Sequence, residues 1–512
     1  MTSVAASPES GTTAQAQSWL RGDAPWLVPL ALLVLAVRGI WFGDPVADFD
    51  EQLYSFIGWR MQYGELPFVD WWDRKPFGLF AVFGVAHALF GPSALAYQLV
   101  AAGFAFLTAL LTFRLARRLV DRAAATAAAA IAVLLLSAYA SYSGQSEVFF
   151  VPMMLVMATL LVDPDHPHFT RRAAVAMLLG GLALQVKYTV VPQCAFFGLY
   201  ALWVEYRRGR SVPALAAIAA LFAAMGLLPT ILVGAFYAAI GDFDAFWFAN
   251  FASFFERAAA PQGRWIPSHL IGVAPVAILA AGGTYAALRM NRPEPFATWL
   301  FFAGWALATL ATVLLPGTVY LYYYAAMSAP AALVALPLLD RRGPMKLGPA
   351  LVLPIALLAL LSLPDRRVQS LEERAAAAEL ARAISPHVGR EENCLWIWDG
   401  PTALYRLADS CVPTRFVYPD HLNNALETGA LGVDQVEEIS RILASQPGAI
   451  VTADTGMTIR NPDAAALVDQ ALASDFEEKV TVQMHGRNIT AWVRRSPSSV
   501  PATATTGTAP QQ

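Results

Sequence analysis

Charge is what this sequence holds least of. Lys, Arg, Asp and Glu make up 14% of its 512 residues, where a soluble domain carries about 25%. With 57% hydrophobic residues, the composition excludes an ordinary soluble chain and defines a multi-pass membrane protein. A net charge of −3 and the lack of a basic stripe argue against nucleic acid as a partner. Cysteine is scarce too. Cys194 lies in an apolar segment, and Cys394 and Cys411 lie near the C-terminus. No CxxC or Cys/His cluster reads as a metal site. No GxGxxG or phosphate-binding loop stands in a fitting context. No internal repeat gives the inverted symmetry common in transporters. The polar residues 1–24 lack the basic start of a cleavable signal peptide. They read as a disordered tail, with Arg21 before an uncleaved anchor.

Apolar runs are what the chain has in plenty. They fall at 25–42, 94–115, 123–142, 147–163, 173–187, 188–204, 213–237, 267–288, 296–315, 320–339 and 345–363. A span needs about 17–25 residues, which gives about eleven spans. The run 76–90 has only PFGLFAVFGVAHALF, and orientation decides its place. If it does not span, the basic loops fall on one side: Arg114, Arg117, Arg118 and Arg122; Arg171 and Arg172; Arg207, Arg208 and Arg210; Arg289 and Arg292; Arg341, Arg342 and Lys346. That is the positive-inside pattern, and it puts residues 43–93 outside. Segment 76–90 then lies in or dips into the outer interface, and 51–63 reads as a second interfacial helix. The N-terminus is inside and the C-terminus outside.

From about 366 the composition changes. LEERAAAAELARAI (371–384) reads as a charged helix. Segments 394–399, 415–419 and 449–454 read as strands, 433–445 and 464–474 as helices, and 477–495 as a hairpin turning near Gly486. The fold class is mainly α, a polytopic bundle over 25–365, followed by an α/β domain over 366–495 outside the membrane. Residues 496–512 read as a disordered tail. Cys394 and Cys411 would lie where a disulfide is allowed.

The loop 43–93 concentrates the charge: Asp44, Asp48, Asp50, Glu51, Asp70, Asp73, Arg74 and Lys75. Charges beside a bilayer need a partner or a task. Asp50 and Glu51, with Tyr54 one turn on, can supply a general base, with Asp48 a rival for the role. Asp73 and Lys75 open the interfacial helix at Pro76, and Lys75 and Arg74 can hold a lipid phosphate. Snorkelling basic side chains explain the same pair more plainly. Glu147 opens a span, and Lys187 sits between two apolar runs; both should face protein or water. Glu147 also suits a helix N-terminus, and Lys187 an ordinary short loop. Tyr320, Tyr322, Tyr323 and Tyr324 read first as an interfacial aromatic belt. The Phe- and Trp-rich loop 238–266 can cover a lipid substrate or simply lie in the interface, and His269 reads as structural. Asp50, Glu51 and Glu147 could hold a divalent ion, though no spacing requires a cofactor.

Together these stretches resemble the family 39 glycosyltransferases, bacterial relatives of protein O-mannosyltransferases and of the lipid A aminoarabinose transferase. The matching residues are Asp50-Glu51-x-x-Tyr54, Gly64-x-x-Pro67-Phe68-x-Asp70, Asp73-x-Lys75-Pro76-Phe77 and Leu89-Phe90-Gly91. Phe77 departs from the family's second proline. No basic residue precedes the Tyr320–Tyr324 run, where the family often has one. The resemblance implies a GT-C fold with catalysis on the outer face of a bacterial inner membrane. It implies a polyprenyl-phosphate-linked sugar as donor and a hydroxyl on a lipid, glycan or protein as acceptor. Asp50 would be the base of an inverting transfer, and Lys75, with Lys187, would hold the leaving phosphate. Glu147, Tyr54, Asp73 and Tyr323 would complete the substrate site. The rival functions are a transporter or flippase of lipid-linked sugars and a non-enzymatic envelope scaffold. An enzyme requires Asp50, Lys75, Glu147 and Lys187 to meet.

Overall fold

The computed structural model describes residues 9–258, 266–316, 320–342 and 348–495, with side chains from residue 22 and, after the break at 259–265, from 272. The start of the expected N-terminal tail (1–8), the whole expected C-terminal tail (496–512), part of the aromatic loop (259–265) and the side chain of His269 lie outside the described residues. The chain divides into two compact units, Met1–Arg374 and Ala375–Gln512.

The first unit is helical. It opens with α1 (Glu9–Gly39). The segment expected to be an unstructured tail is thus helical from Glu9. Its QAQSWLR stretch is rich in helix formers, and extending a helix from an apolar span needs no new nucleus. The first long loop then carries α2 (Phe49–Arg60) and α3 (Phe77–Phe90). Next come α4 (Ala94–Ala116), α5 (Arg122–Ala138), α6 (Ser146–Leu161), α7 (Phe169–Leu184), α8 (Val191–Arg207) and α9 (Val212–Ile240). Two short helices follow, α10 (Phe243–Trp247) and α11 (Ser253–Glu256), on either side of a π-turn. The unit closes with α12 (Ile266–Arg289), α13 (Phe296–Leu314), a tyrosine-rich 3-10 turn over Leu321–Met327, α14 (Ser328–Val334), α15 (Leu336–Leu339) and α16 (Val352–Leu361). The division between units falls inside α17 (Leu363–Ile384).

Each of the eleven expected apolar runs carries helix. Among the described residues, six helical stretches are long and apolar enough to cross a membrane: 22–39, 94–116, 212–240, 272–289, 296–314 and 348–387. Helices α3, α5 and α6 are apolar but shorter. Helix α5 is the buried centre, packed against α1, α4, α14 and α16. Its alanine run lets neighbouring backbones approach closely. Helix α9 is the opposite case, with only 11% of its apolar window buried. A hydrophobic helix uncovered by protein is suited to lipid.

Helix α2 starts where it does because Asp48 caps it. The Asp48 carboxylate accepts the Asp50 N–H at 3.0 Å, and Asp50 and Glu51 sit in the first turn, where negative charge is favoured. Gly64, at φ +85°, ends the turn that follows. Glu65 closes the return loop by accepting from Arg60 and from the Trp71 indole. The Tyr237 hydroxyl of α9 donates to the Pro67 carbonyl at 2.9 Å, tying this loop to the bundle.

The second unit is an α/β layer with a four-stranded sheet in the order β1-β2-β4-β3. Strands β1 (Leu395–Ile397) and β2 (Ala449–Ala453) are parallel; β4 (Arg487–Arg494) runs antiparallel to β2 and forms a hairpin with β3 (Phe476–Met484). The crossover from β1 to β2 carries α18 (Leu404–Leu407), α19 (Pro419–Asn423) and α20 (Gln435–Ala444), and α21 (Pro462–Asp475) precedes the hairpin. Cys394 and Cys411 are disulfide-bonded. One expected strand is absent: 415–419 is irregular. The Thr414 hydroxyl takes the Phe416 N–H in a local turn, and Pro419 starts α19, so the segment buries Phe416 and Val417 without joining the sheet.

The crossing of α2 and α3 sets the floor of the site, and it depends on Gly58. A Cβ there would lie 2.7 Å from both the Phe83 Cβ and the Gly84 nitrogen. Gly58→Ala is expected to cost about 1–3 kcal/mol by overpacking and to lower the thermal midpoint in detergent. Gly103→Ala, where a Cβ meets nothing within 4 Å, is the control and should not lower it.

Candidate active site

The site is built on a buried polar frame. Arg38, in the last turn of α1, is buried and donates to the carbonyls of Ser141 (2.9 Å) and Ser143. Gln98 of α4 donates to the Asp44 carbonyl (2.9 Å) and the Ser143 hydroxyl (3.2 Å), and accepts from the Gly43 N–H (2.7 Å). Tyr142 stacks on Trp41 at 4.4 Å and donates to the Ala47 carbonyl at 3.0 Å. Loop 139–145 is therefore fixed against the first long loop at several points.

The three acids of the α2 start occupy different environments. Glu51 is fully buried and accepts from the Tyr97 hydroxyl (3.0 Å) and the Gly144 N–H. Burial pushes its carboxyl up to about 7, against the pull of donors on Ser143, Gly144 and Tyr97. Asp48 is raised well above the usual carboxylate range, by burial and then by the charges of Asp50 and Glu51. Asp50 accepts from the Gln145 side-chain amide at 3.1 Å, and the same nitrogen reaches Asp48 at 3.2 Å.

The cations gather opposite. The Lys75 ammonium lies 5.6 Å from the Tyr54 ring centre and 4.0 Å from Asp73, whose carboxylate also accepts the Lys75 N–H at 2.6 Å. Burial opposes the Lys75 charge, but Asp73 and Asp50 outweigh it and hold the amine above its ordinary value. Lys187 forms a buried ion pair with Glu147, and its ammonium stands 4.2 Å from the Tyr323 ring centre and 5.0 Å from that of Tyr322. Lys75 and Asp50 both act on the Lys187 charge, and Asp50 also faces Tyr322 and Tyr323. Arg74 stacks over Trp72 and donates to the Ser253 hydroxyl at 2.6 Å; Arg257 lies within electrostatic reach of Lys75.

The structure thus brings together Asp50, Tyr54, Asp73, Lys75, Glu147, Lys187 and Tyr323. Glu51 sits beside them but turns into the frame. Asp50, Glu51 and Glu147 do not converge as metal ligands, and among the described residues no group of three His, Cys, Asp or Glu does. Sequence reasoning missed Gln145, Tyr97 and Arg38. Gln145 stands two residues before Glu147 in SYSGQSE, and a polar side chain beside a singled-out acid was the available signal.

A helical membrane unit with acids and a lysine on its first long loop, followed by an α/β unit, is the arrangement of the GT-C glycosyltransferase fold. Residues 74–232 match the family model described as dolichyl-phosphate-mannose-protein mannosyltransferase. The chain resembles the crystal structure of ArnT from Cupriavidus metallidurans in the apo state, with 17% identity and a TM-score of 0.62, covering 93% of this chain and 98% of that one. It also resembles ArnT of the same organism bound to undecaprenyl phosphate, with 17% identity, a TM-score of 0.59, and coverage of 92% and 98%. No curated protein matches the chain. The GT-C fold expected from loop 43–93 is the fold observed.

Glu51 carries a pH signature. Its carboxyl keeps a proton in the folded state up to about 7, against an ordinary value of 4.5. Between those values the native state binds more protons than the unfolded one, so stability falls as pH rises through that window. Glu51→Gln is expected to remove part of that fall, on the order of 1–3 kcal/mol. Thermal midpoints in detergent from pH 4.5 to 8 check this: the variant's curve should be flatter than the wild type's.

Proposed function

We propose that the protein is an integral-membrane glycosyltransferase that moves a sugar from a polyprenyl-phosphate donor to a hydroxyl acceptor. One observation carries the proposal: Asp50 faces Lys75 and Lys187 across the start of α2, so a carboxylate and two ammonium groups act on one another at a single place. The sequence match to a lipid-phosphate-dependent mannosyltransferase family over 74–232 supports it. So does likeness to ArnT, which binds undecaprenyl phosphate in one of its structures.

The reaction follows from the placement. The acceptor hydroxyl oxygen attacks the anomeric carbon while the bond from that carbon to the phosphate oxygen breaks. Asp50 takes the hydroxyl proton, and polyprenyl phosphate leaves with the electron pair. Attack opposite the leaving group inverts the anomeric centre. Asp48 is engaged at the helix start, where its carboxylate caps α2 and shares the Gln145 amide. Lys75 and Lys187, with Arg74 and Arg257 nearby, stabilise the negative charge that grows on the leaving phosphate. Tyr54 and Tyr323 support the two lysines by their ring faces, and Glu147 and Asp73 hold them in place. The acceptor is a lipid, glycan or protein outside the cytoplasm, and the protein resides in a bacterial inner membrane with its α/β unit on the periplasmic side. Acids and cations grouped at one place do not favour a transport pathway, which needs charged groups at successive depths.

Transfer of radiolabelled sugar from a polyprenyl-phosphate donor in membranes tests this. Asp50→Asn is expected to lower the rate about 10²–10⁴-fold at unchanged protein level. Lys75→Met should lower it by about 10²–10³-fold. Undiminished transfer by Asp50→Asn would remove it as the base. A wild type that transfers nothing from any such donor would move the protein to the lipid-linked-sugar transporters.

A further inference from the structure

Resting on that transfer reading, we infer that Gln145 is a positioning residue for the Asp50 base, with its side-chain amide shared between Asp48 and Asp50.

The geometry leaves the amide one useful orientation. Its nitrogen lies 3.1 Å from an Asp50 carboxylate oxygen and 3.2 Å from an Asp48 oxygen. Carboxylate oxygens accept, so the NH2 group, with two donors, must face them. The amide oxygen is turned the other way and accepts the Ser146 N–H at 3.2 Å, capping α6. Gln145 is buried, so these bonds replace its hydration.

The backbone that carries Gln145 is held just as closely. Gly144 gives its N–H to Glu51, and a Cβ on Gly144 would come within 3.0 Å of the Glu51 carboxylate and 3.1 Å of the Phe83 and Tyr97 rings. Arg38 holds the carbonyls of Ser141 and Ser143. Glu51 and Arg38 therefore act on Asp50 through Gln145. They bring the amide to the place where two acids of one helical turn would otherwise repel each other.

The groups facing Asp50 come from several elements. Asp48 and Glu51 share its helix start, Lys75 comes from the entry to α3, Lys187 from the end of α7, and Tyr322 and Tyr323 from the 3-10 turn. The lysines lie within electrostatic reach of Asp50 and remain when Gln145 is changed. The amide adds direction: it holds one Asp50 carboxylate oxygen at 3.1 Å and so fixes how the group is turned. Replacing it takes a donor from that carboxylate, and a carboxylate that loses a donor binds a proton more readily.

The test is the pH dependence of transfer by Gln145→Met, which keeps the length and removes the donors, and Gln145→Glu, which adds a third carboxylate. Thermal midpoints identify the folded variants. In Gln145→Met the acid limb of kcat against pH should move up by about one pH unit, with kcat at pH 7 lower by about 10-fold and KM for the donor unchanged. In Gln145→Glu the limb should move further. An unmoved acid limb in whichever variant folds, or a loss confined to KM, overturns the inference while leaving the transfer reading intact. A wild type without transfer overturns both.

Discussion

A charge set among apolar helices has to be paired where it sits, because neither lipid nor a packed core will solvate it. Arg38 is the case on which the rest of the site depends. It lies at the buried end of α1, and its guanidinium is held by carbonyls of loop 139–145. That requirement pins a loop which, by composition alone, would be free to move. The pinned loop then offers the Gly144 N–H to Glu51 and the Gln145 amide to Asp48 and Asp50. The position of the proposed base is thus a consequence of how an arginine near the start of the chain is neutralised.

Three acids within four residues would repel one another if all were charged and alike. Here their surroundings separate them. Asp48 caps a helix, and desolvation and the neighbouring acids raise its carboxyl well above the usual range. Glu51 is buried deeper and is absorbed by hydrogen bonds. Asp50 is the one that faces cations. The same sorting applies to the lysines. Lys187 is neutralised by Glu147 and backed by two tyrosine rings, whereas Lys75 has a third of its side chain exposed and is held more loosely by Asp73. A phosphate arriving at the site would meet Lys75 at lower cost, because little needs to be broken first.

Much of this was legible in the sequence, and for identifiable reasons. Long apolar runs report helices directly, and each run carries one. The density of charge in 43–93 pointed to the candidate site, since acids and basic groups are costly there without a task. The roles of neighbours were harder to read. Asp50 and Glu51 look alike in sequence, and only the positions of Tyr97 and Gly144, 46 and 93 residues away from Glu51, separate them. Gln145 was harder to single out, because a neutral amide stands out by neither charge nor hydropathy and only its place two residues before Glu147 marks it. The 415–419 segment misled for a related reason: Phe416 and Val417 are buried as a strand's residues would be, but a threonine hydroxyl and a proline claim the backbone.

The α/β unit shows what distinguishes a site from a support. Asp399 is also a fully buried carboxylate facing cations, with Arg460 and Arg487 each 2.8 Å from a different oxygen. There the charges are matched at contact distance, and both guanidiniums also hold backbone carbonyls, of Ala453 and Thr455. Such a carboxylate is clasped on both oxygens and fixes loops. Asp50 is held differently. One of its oxygens accepts from a neutral amide, and its charge acts on Lys75 and Lys187. A base must be held firmly enough to point and loosely enough to react, and a shared amide does the first without preventing the second.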